Sequence, residues 1–350
     1  MEINNRINKL RKYLKEFSLD GFLVTNQTNI KYLTNFTGDD GIVLVTFESV
    51  YLISDQRFKI ELNNLKDIQP IISNEYLKAT CDIISKDHLI AVGFEDSIEF
   101  SMYDYLDENA TSDIVSISNL IESLRSIKSN NEIQKIKKAN LIAKKAFDFF
   151  IDKIDYQTER SLAIDLDYFL KKNGADKPSF DTIIASGSNT VLPHSTISNR
   201  KINHNDLVML DFGYFVNDYT FDITRTISLG KQNKEIKKVY NVVLDALNET
   251  TKLVRSGLPA NLLYERAKKI LKSNNLDQYF THGIGHGIGL SIHELPNLNS
   301  FDELISGQII TIEPGVYIPG LGGIRIENDI LVTENGYENL TPISTEFIEL

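Results

Sequence analysis

The sequence predicts an α+β chain of two domains, an N-terminal α/β domain with a mixed sheet over residues 1–125 and a second domain over residues 126–350. Three observations carry this expectation. At 350 residues the chain is long enough for about two domains of ordinary size. Short apolar runs alternate with helical stretches until about Ile117, and the rhythm changes after a polar stretch at 126–132. The hydrophobic fraction of 42% and the charged fraction of 24% are those of a globular chain with a sizeable core, which excludes collagen-like, disordered and disulfide-scaffold classes.

In chain order, Ile3, Ile7, Leu10, Leu14 and Phe17 recur at steps of four and three, one face of a helix that Asp20-Gly21 stops. Apolar runs at 22–24, 42–47, 51–53, 71–72 and 89–94 read as strands, divided by turns such as Gly38-Asp39-Asp40-Gly41. A last strand pattern closes the first domain at 114–117, and the alternation suits a mixed sheet. A new helical period then runs through Ile133, Ile136, Ala139, Ala143, Ala146 and Phe150. Further helices are expected at 158–172, 235–254 and 260–272, with β runs at 207–210, 309–312 and 324–332.

Charge and cysteine content narrow the function. The net charge of -11, from 37 basic and 48 acidic residues, argues against nucleic acid and anionic membranes as partners, because both are held by clustered Lys and Arg. Cys81 is the single cysteine, so an internal disulfide or a thiolate metal cluster is excluded, and it reads as a packed apolar residue. The N-terminal stretch is charged throughout and no apolar run approaches the ~20 residues that cross a bilayer, so a cytoplasmic location is expected.

The chemistry concentrates in two hairpins. LVMLDFGYFVNDYTFDITRT reads as two strands about a turn at 216–218, which places Asp211 and Asp222 opposite each other, with Cβ atoms about 4.5 to 5.5 Å apart. IITIEPGVYI and IRIENDILV flank the Gly-rich turn PGLGG, and Glu313 and Glu327 are equidistant from its centre. Four clustered carboxylates repel one another unless protons or cations intervene. Two divalent ions balance their charge, and with His286 of THGIGHGIGL the donors are one nitrogen and several oxygens, a set suited to manganese, iron(II), cobalt or zinc. Two such ions about 3.5 to 4 Å apart activate water for hydrolysis. His88 and His204, in polar surroundings, read as ordinary surface residues.

LPHSTISNRKINHNDLVMLDFG, YTFDITRT, HGIGHGIGLSIHE, IITIEPGVYIPG and GGIRIENDI together resemble the pita-bread metallopeptidases, which include methionine aminopeptidases, Xaa-Pro aminopeptidases and Xaa-Pro dipeptidases. VTNQTNIKYLTNFTGDDG and YLISDQRF resemble the creatinase-type N-terminal domain of the proline-directed members. The resemblance implies a creatinase-type domain followed by a pita-bread catalytic domain. It implies that Asp211 chelates one ion, His286 and Glu313 the other, and that Asp222 and Glu327 bridge them. His194 and His293 would face the substrate, while His282 and Arg325 match the proline-directed pattern at the substrate pocket. Phe221 stands where relatives commonly carry Ser, which leaves Thr224 to orient a ligand carboxylate, and Asn205 stands in place of a frequent Gly.

The function so implied is removal of an N-terminal residue preceding proline. Two bridged divalent ions, manganese first and cobalt or zinc as alternatives, would activate water, and Glu313 would shuttle the proton. The substrates expected are peptides with proline at the second position, cleaved well at three or more residues. A prolidase acting on Xaa-Pro dipeptides is the alternative, and a non-catalytic peptide-binding or chaperone relative a remoter one. A homodimeric assembly stays open.

Overall fold

The computed structural model describes residues 2–154 and 157–350. The chain divides into two compact units, Met1–Arg125 and Ser126–Leu350.

The first unit is a six-stranded sheet with helices. Its strands are β1 (Gly21–Val24), β2 (Ile42–Thr46), β3 (Val50–Ser54), β4 (Gln69–Ile72), β5 (Ala91–Glu95) and β6 (Asp113–Ile117), in the order β4-β3-β2-β1-β5-β6. The β1–β2 and β2–β3 pairs are antiparallel, whereas β3–β4, β1–β5 and β5–β6 are parallel, so the sheet is mixed as the alternating runs predict. The helices are α1 (Glu2–Glu16), α2 (Gln27–Thr34), α3 (Lys59–Leu62), α4 (Tyr76–Lys86), α5 (Phe100–Asn109) and α6 (Leu120–Ser126). Every residue of β1, β2 and β3 is buried, the pattern of strands covered on both faces. One expectation needs correcting. Phe17 lies past the end of α1, 48% exposed and stacked on Tyr13, while Arg6 joins Ile7, Leu10 and Leu14 on the buried face by bonding the Tyr32 carbonyl. Cys81 sits half-buried in α4, where burial raises its thiol pKa.

The second unit builds hairpins against helices. Helix α7 (Asn130–Lys153) starts at a capping box of Ser129 and Glu132, and α8 (Glu159–Lys172) at an N-cap Thr158, which is why the polar stretch before Ile133 ends in a helix. The strands that follow are β7 (Lys177–Pro178), β8 (Ile183–Ser186), β9 (Leu207–Phe212), β10 (Tyr214–Val216), β11 (Tyr219–Thr220) and β12 (Ile223–Ser228). Helices α9 (Lys234–Thr251) and α10 (Asn261–Ser273) precede β13 (Ile309–Ile312), β14 (Gly315–Ile318), β15 (Gly322–Arg325), β16 (Asn328–Val332) and β17 (Tyr337–Asn339). One core packs Ala143, Phe147 and Phe150 of α7 with Leu210, Phe212 and Ile223 of the first hairpin. Another packs Val243 and Leu247 of α9 and Leu263 of α10 with Ile310, Ile324 and Ile330 of the second. No helix among the described residues is long and apolar enough to cross a membrane.

The hairpin registers fix which side chains meet. The first turn centres on Asn217-Asp218, both at positive φ (49° and 76°), the geometry that matches strand twist in two-residue hairpins. Asp211 therefore pairs with Thr224, not with Asp222 as a turn centred one residue earlier would have it. In the second hairpin 312 pairs with 328 and 315 with 325, a register that puts Glu313 level with Glu327. The run 324–332 is not one strand, however. It breaks at Ile326-Glu327 because Pro314 opposite has no N–H for the ladder, while Glu313 N donates to Ile284 O (2.8 Å) and Glu327 N to Thr224 O (3.1 Å).

Arg225 ties this assembly together. Only 2% exposed, it donates to the carbonyls of Thr224, Glu327, Ile343 and Ser344 and to Asn328 Oδ1. Methionine fills similar space without donors and leaves those acceptors buried and unpaired. Arg225→Met should therefore lower unfolding stability by about 3 kcal/mol or more, read as a shifted urea midpoint of the second unit.

Candidate active site

The two hairpins meet along β12 and the 325–327 segment. Thr226 Oγ1 donates to Arg325 O (3.0 Å) and accepts from Arg325 N (3.1 Å), and Glu327 N reaches Thr224 O. This junction collects carboxylates from both. Asp222, His286 and Glu327 each offer a ligand atom, all within 4.8 Å of one another. His286 Nε2 lies 3.5 Å from Asp222 Oδ2 and 3.9 Å from Glu313 Oε1. Asp211 is 8% exposed and beside Asp222, but its Oδ2 is already held by the Arg325 guanidinium. Thus three of the five expected ligands converge tightly, Glu313 borders them, and Asp211 stands next to them in an ion pair.

His286 is positioned by backbone. Its N–H donates to Thr311 Oγ1 (3.1 Å), Thr311 N donates back to its carbonyl (2.8 Å), and the ring Nδ1 meets Gly287 O (3.1 Å), which leaves Nε2 facing the acids. Gly285 has to be glycine, since its φ is +146° and a Cβ there would lie 2.1 Å from Thr311 O.

Arg325 is 3% exposed and its donors are committed. Besides Asp211 it bonds Thr224 Oγ1 (3.1 Å), Pro193 O (3.2 Å) and Tyr317 OH. The carboxylate it pairs with directly is Asp211 of the facing hairpin, while its charge also acts on Glu327 two residues along its own chain. Tyr317 in turn meets His282 Nε2 (2.9 Å), and His282 Nδ1 lies 2.8 Å from Gly283 O and 3.9 Å from Glu313 Oε2. Burial, helped by the Arg325 charge, lowers His282 to about 4, so the ring is neutral at pH 7. Burial and then His293 lower His286 to about 4 as well. His293 is also lowered, by burial and then His194, and its ring lies edge-on to His286 at 4.1 Å. His194 borders a cavity of about 430 Å³ with Phe180, Thr182, Ile183 and Ile197.

Thr224 takes the orienting part: its hydroxyl donates to Glu327 Oε2 at 2.6 Å. Phe221, fully buried against Phe212, fills apolar core in place of a polar contact. Asn205 adopts φ +69°, a left-handed conformation that Asn tolerates best after Gly. Several site residues escaped the sequence reading. Asp329 is fully buried behind Asp222, accepting from Asn140 Nδ2 (2.8 Å) and Asp222 N (3.3 Å). Its signal is an acid inside an apolar strand run, and that of Asn140 a polar residue on the apolar face of α7. Lys128 and Glu294 form a buried ion pair (2.6 Å) next to His293.

Residues 134–334 match metallopeptidase family M24, and residues 6–127 the creatinase/prolidase N-terminal domain. The Xaa-Pro dipeptidase of Pyrococcus furiosus is 35% identical over 99% of this chain and 100% of its own. This chain belongs to metallopeptidase family M24. Among solved structures, a Xaa-Pro dipeptidase from Bacillus anthracis superposes with a TM-score of 0.95 at 35% identity, covering 99% of this chain and 100% of that one. An X-Pro aminopeptidase from Thermotoga maritima superposes with a TM-score of 0.90 at 29% identity, covering 98% and 99%. The second unit is accordingly the pita-bread catalytic domain, the first a creatinase-type domain, and the chain is a hydrolase.

M24 enzymes use divalent metals, and the residues here suit one. Asp211 Oδ1 and Asp222 Oδ1 are buried with no hydrogen-bond partner among the described residues, and imidazole plus carboxylates is a borderline-hard donor set. Without a cation, burial and then the neighbouring acids push the carboxyls of Asp222 and Glu327 well above the ordinary range, and burial lifts Glu313 to about 8. Raised values mean that the folded metal-free chain holds protons the unfolded chain releases, so its stability falls as pH rises from the carboxylate range towards about 8. A divalent ion displaces those protons. The gain in Tm on adding saturating manganese should therefore be larger near pH 8 than near pH 6. Calorimetry checks it, and an equal gain at both would detach these carboxyls from the metal.

Proposed function

We propose that this enzyme is a Xaa-Pro dipeptidase whose Asp211, Asp222, His286, Glu313 and Glu327 hold two divalent ions, manganese foremost. The observation that carries the hydrolytic reading is the convergence of Asp222, His286 and Glu327 beside Glu313 and Asp211. The charge of four carboxylates supports a pair of ions. The ranking of dipeptidase over aminopeptidase reverses the order expected from the sequence resemblance. It is supported by full-length similarity to the Pyrococcus furiosus and Bacillus anthracis dipeptidases at 35% identity, against 29% for the Thermotoga maritima aminopeptidase.

The divalent ions, when bound, lower the pKa of water and polarise the scissile carbonyl. The chain supplies the rest. Glu313, at the mouth of the cluster, takes a proton from the attacking water and returns it to the proline nitrogen, a role that suits a carboxylate in a buried, repulsive site. His194 and His293, on the open side, hydrogen-bond the developing oxyanion. Arg325 acts through its partners: it fixes Asp211, Thr224 and the Tyr317–His282 pair, so that the wall facing the proline ring is rigid.

Replacing Glu313 by Ala should cut kcat at least about 10²-fold in a folded chain. His194→Ala and His293→Ala should each lower kcat/KM by about 10²-fold with metal content unchanged, and loss of metal in either would move that histidine into the ligand set.

The substrate assignment is tested by a panel of Xaa-Pro dipeptides against Xaa-Pro-Ala and Xaa-Ala-Ala tripeptides with manganese present. Dipeptides should be preferred in kcat/KM. Faster turnover of Xaa-Pro-Ala would restore the aminopeptidase reading, and equal turnover of Xaa-Ala-Ala would end proline direction.

A further inference from the structure

His194 sits on the segment 187–197, which runs between β8 and β9 and lines the cavity beside the site. Besides Arg160 Nη2, which donates to Ile197 O (3.2 Å), three anchors hold this segment. Near its start, Gly323 N donates to Thr190 Oγ1 (2.9 Å), with the two backbones so close that a Cβ on Gly323 would lie 1.8 Å from Thr190 O. In its middle, Arg325 bonds Pro193 O. The third anchor is Glu159, the first residue of α8, which is 0% exposed. Its Oε1 accepts from Ser186 N (2.8 Å), Ser186 Oγ (2.8 Å) and Asn189 Nδ2 (3.0 Å), and its Oε2 from Ser198 N (3.2 Å) and Ser198 Oγ (2.5 Å).

We propose that Glu159 is a positioning residue for catalysis: one buried carboxylate clamps both ends of segment 187–197 and so sets where His194 meets the substrate. The pattern of donors argues for this. Ser186 and Asn189 precede His194, Ser198 follows it, and the carboxylate takes bonds from both sides at once. Docking of α8 itself is accomplished by Leu162, Leu166 and Leu170, all fully buried. A buried carboxylate is costly unless its lone pairs are filled, and here both oxygens are filled from the segment it spans. A second polar layer adds to the clamp, as Arg200 Nη1 donates to Ser186 Oγ (2.7 Å) and to Asp206 Oδ2 (2.6 Å).

The inference rests on the reading of His194 as a substrate-facing residue, and the experiment separates the two. Glu159→Gln keeps the shape but turns one acceptor into a donor, which opposes an N–H at one end of the segment. In the full-length, manganese-loaded enzyme it should lower kcat/KM about tenfold with metal content unchanged, and amide hydrogen exchange should quicken in 187–198 but not in α7. In a His194→Ala background the same change should cost less than about twofold, because coupled residues are non-additive. Ser198→Ala, a gentler cut at the other end of the same bond, should act in the same direction and serves if Glu159→Gln fails to fold. Unchanged exchange in 187–198, or an undiminished effect of Glu159→Gln when His194 is absent, would overturn the proposal. If His194→Ala alone leaves kcat/KM intact, the reading of His194 fails and the catalytic part of the proposal with it, while faster exchange would still mark Glu159 as the clamp.

Discussion

Holding Asp211, Asp222, Glu313 and Glu327 in one buried junction is the constraint on which the catalytic domain is organised. Two unit charges about 4 Å apart at an effective dielectric near 20 repel by about 4 kcal/mol, so every additional acid must be matched by a cation, a proton or a set of donors. The matches are visible residue by residue. Asp211 has the Arg325 guanidinium, Glu327 has the Thr224 hydroxyl, and Asp329 has Asn140 and the Asp222 amide. Asp222 and Glu313 have the least protein compensation, and they sit nearest to His286, on the side where a cation is most effective.

The same constraint divides the site into rigid and adjustable parts. Asp211 comes from β9, Asp222 from the break between β11 and β12, and Glu313 and Glu327 from the interruption at Pro314, where ladder hydrogen bonds are exchanged for bonds to Ile284 and Thr224. Interrupting the ladder there frees two facing side chains to point into the junction and keeps their backbones fixed. The residues proposed to face substrate, His194 and His293, lie instead on irregular segments, which need separate fastening. Arg325, Gly323 and Glu159 fasten the first, and the Lys128–Glu294 pair lies beside the second.

Much of this was legible in the sequence because it depends on local signals. The caps at Ser129 and Thr158 begin α7 and α8 where the helical periods begin, and the Gly-rich turn gives the second hairpin its register directly. The first hairpin was displaced by one residue at its turn because the preference of Asn217-Asp218 for left-handed φ outranks symmetry between the acids. Phe17 followed the helical period but not the burial, since an i,i+3/i+4 pattern cannot tell where a helix frays. Partners contributed by distant segments left no local trace. The meeting of Arg325 with Asp211, and of Glu159 with Ser186 and Ser198, is set by how hairpins and helices pack.

The separations along the chain between these partners carry a kinetic meaning. Asp211 and Arg325 are 114 residues apart, Thr224 and Glu327 103, Asn140 and Asp329 189, and Arg225 and Ser344 119. Closing loops of that length costs entropy before any contact repays it, and folds dominated by such pairings form slowly. The junction therefore belongs to the late steps of folding, after the helices and single hairpins have formed. A ribosome-bound chain extended only through Glu327 has all four acids, but not yet the Ile343 and Ser344 carbonyls that Arg225 binds behind them.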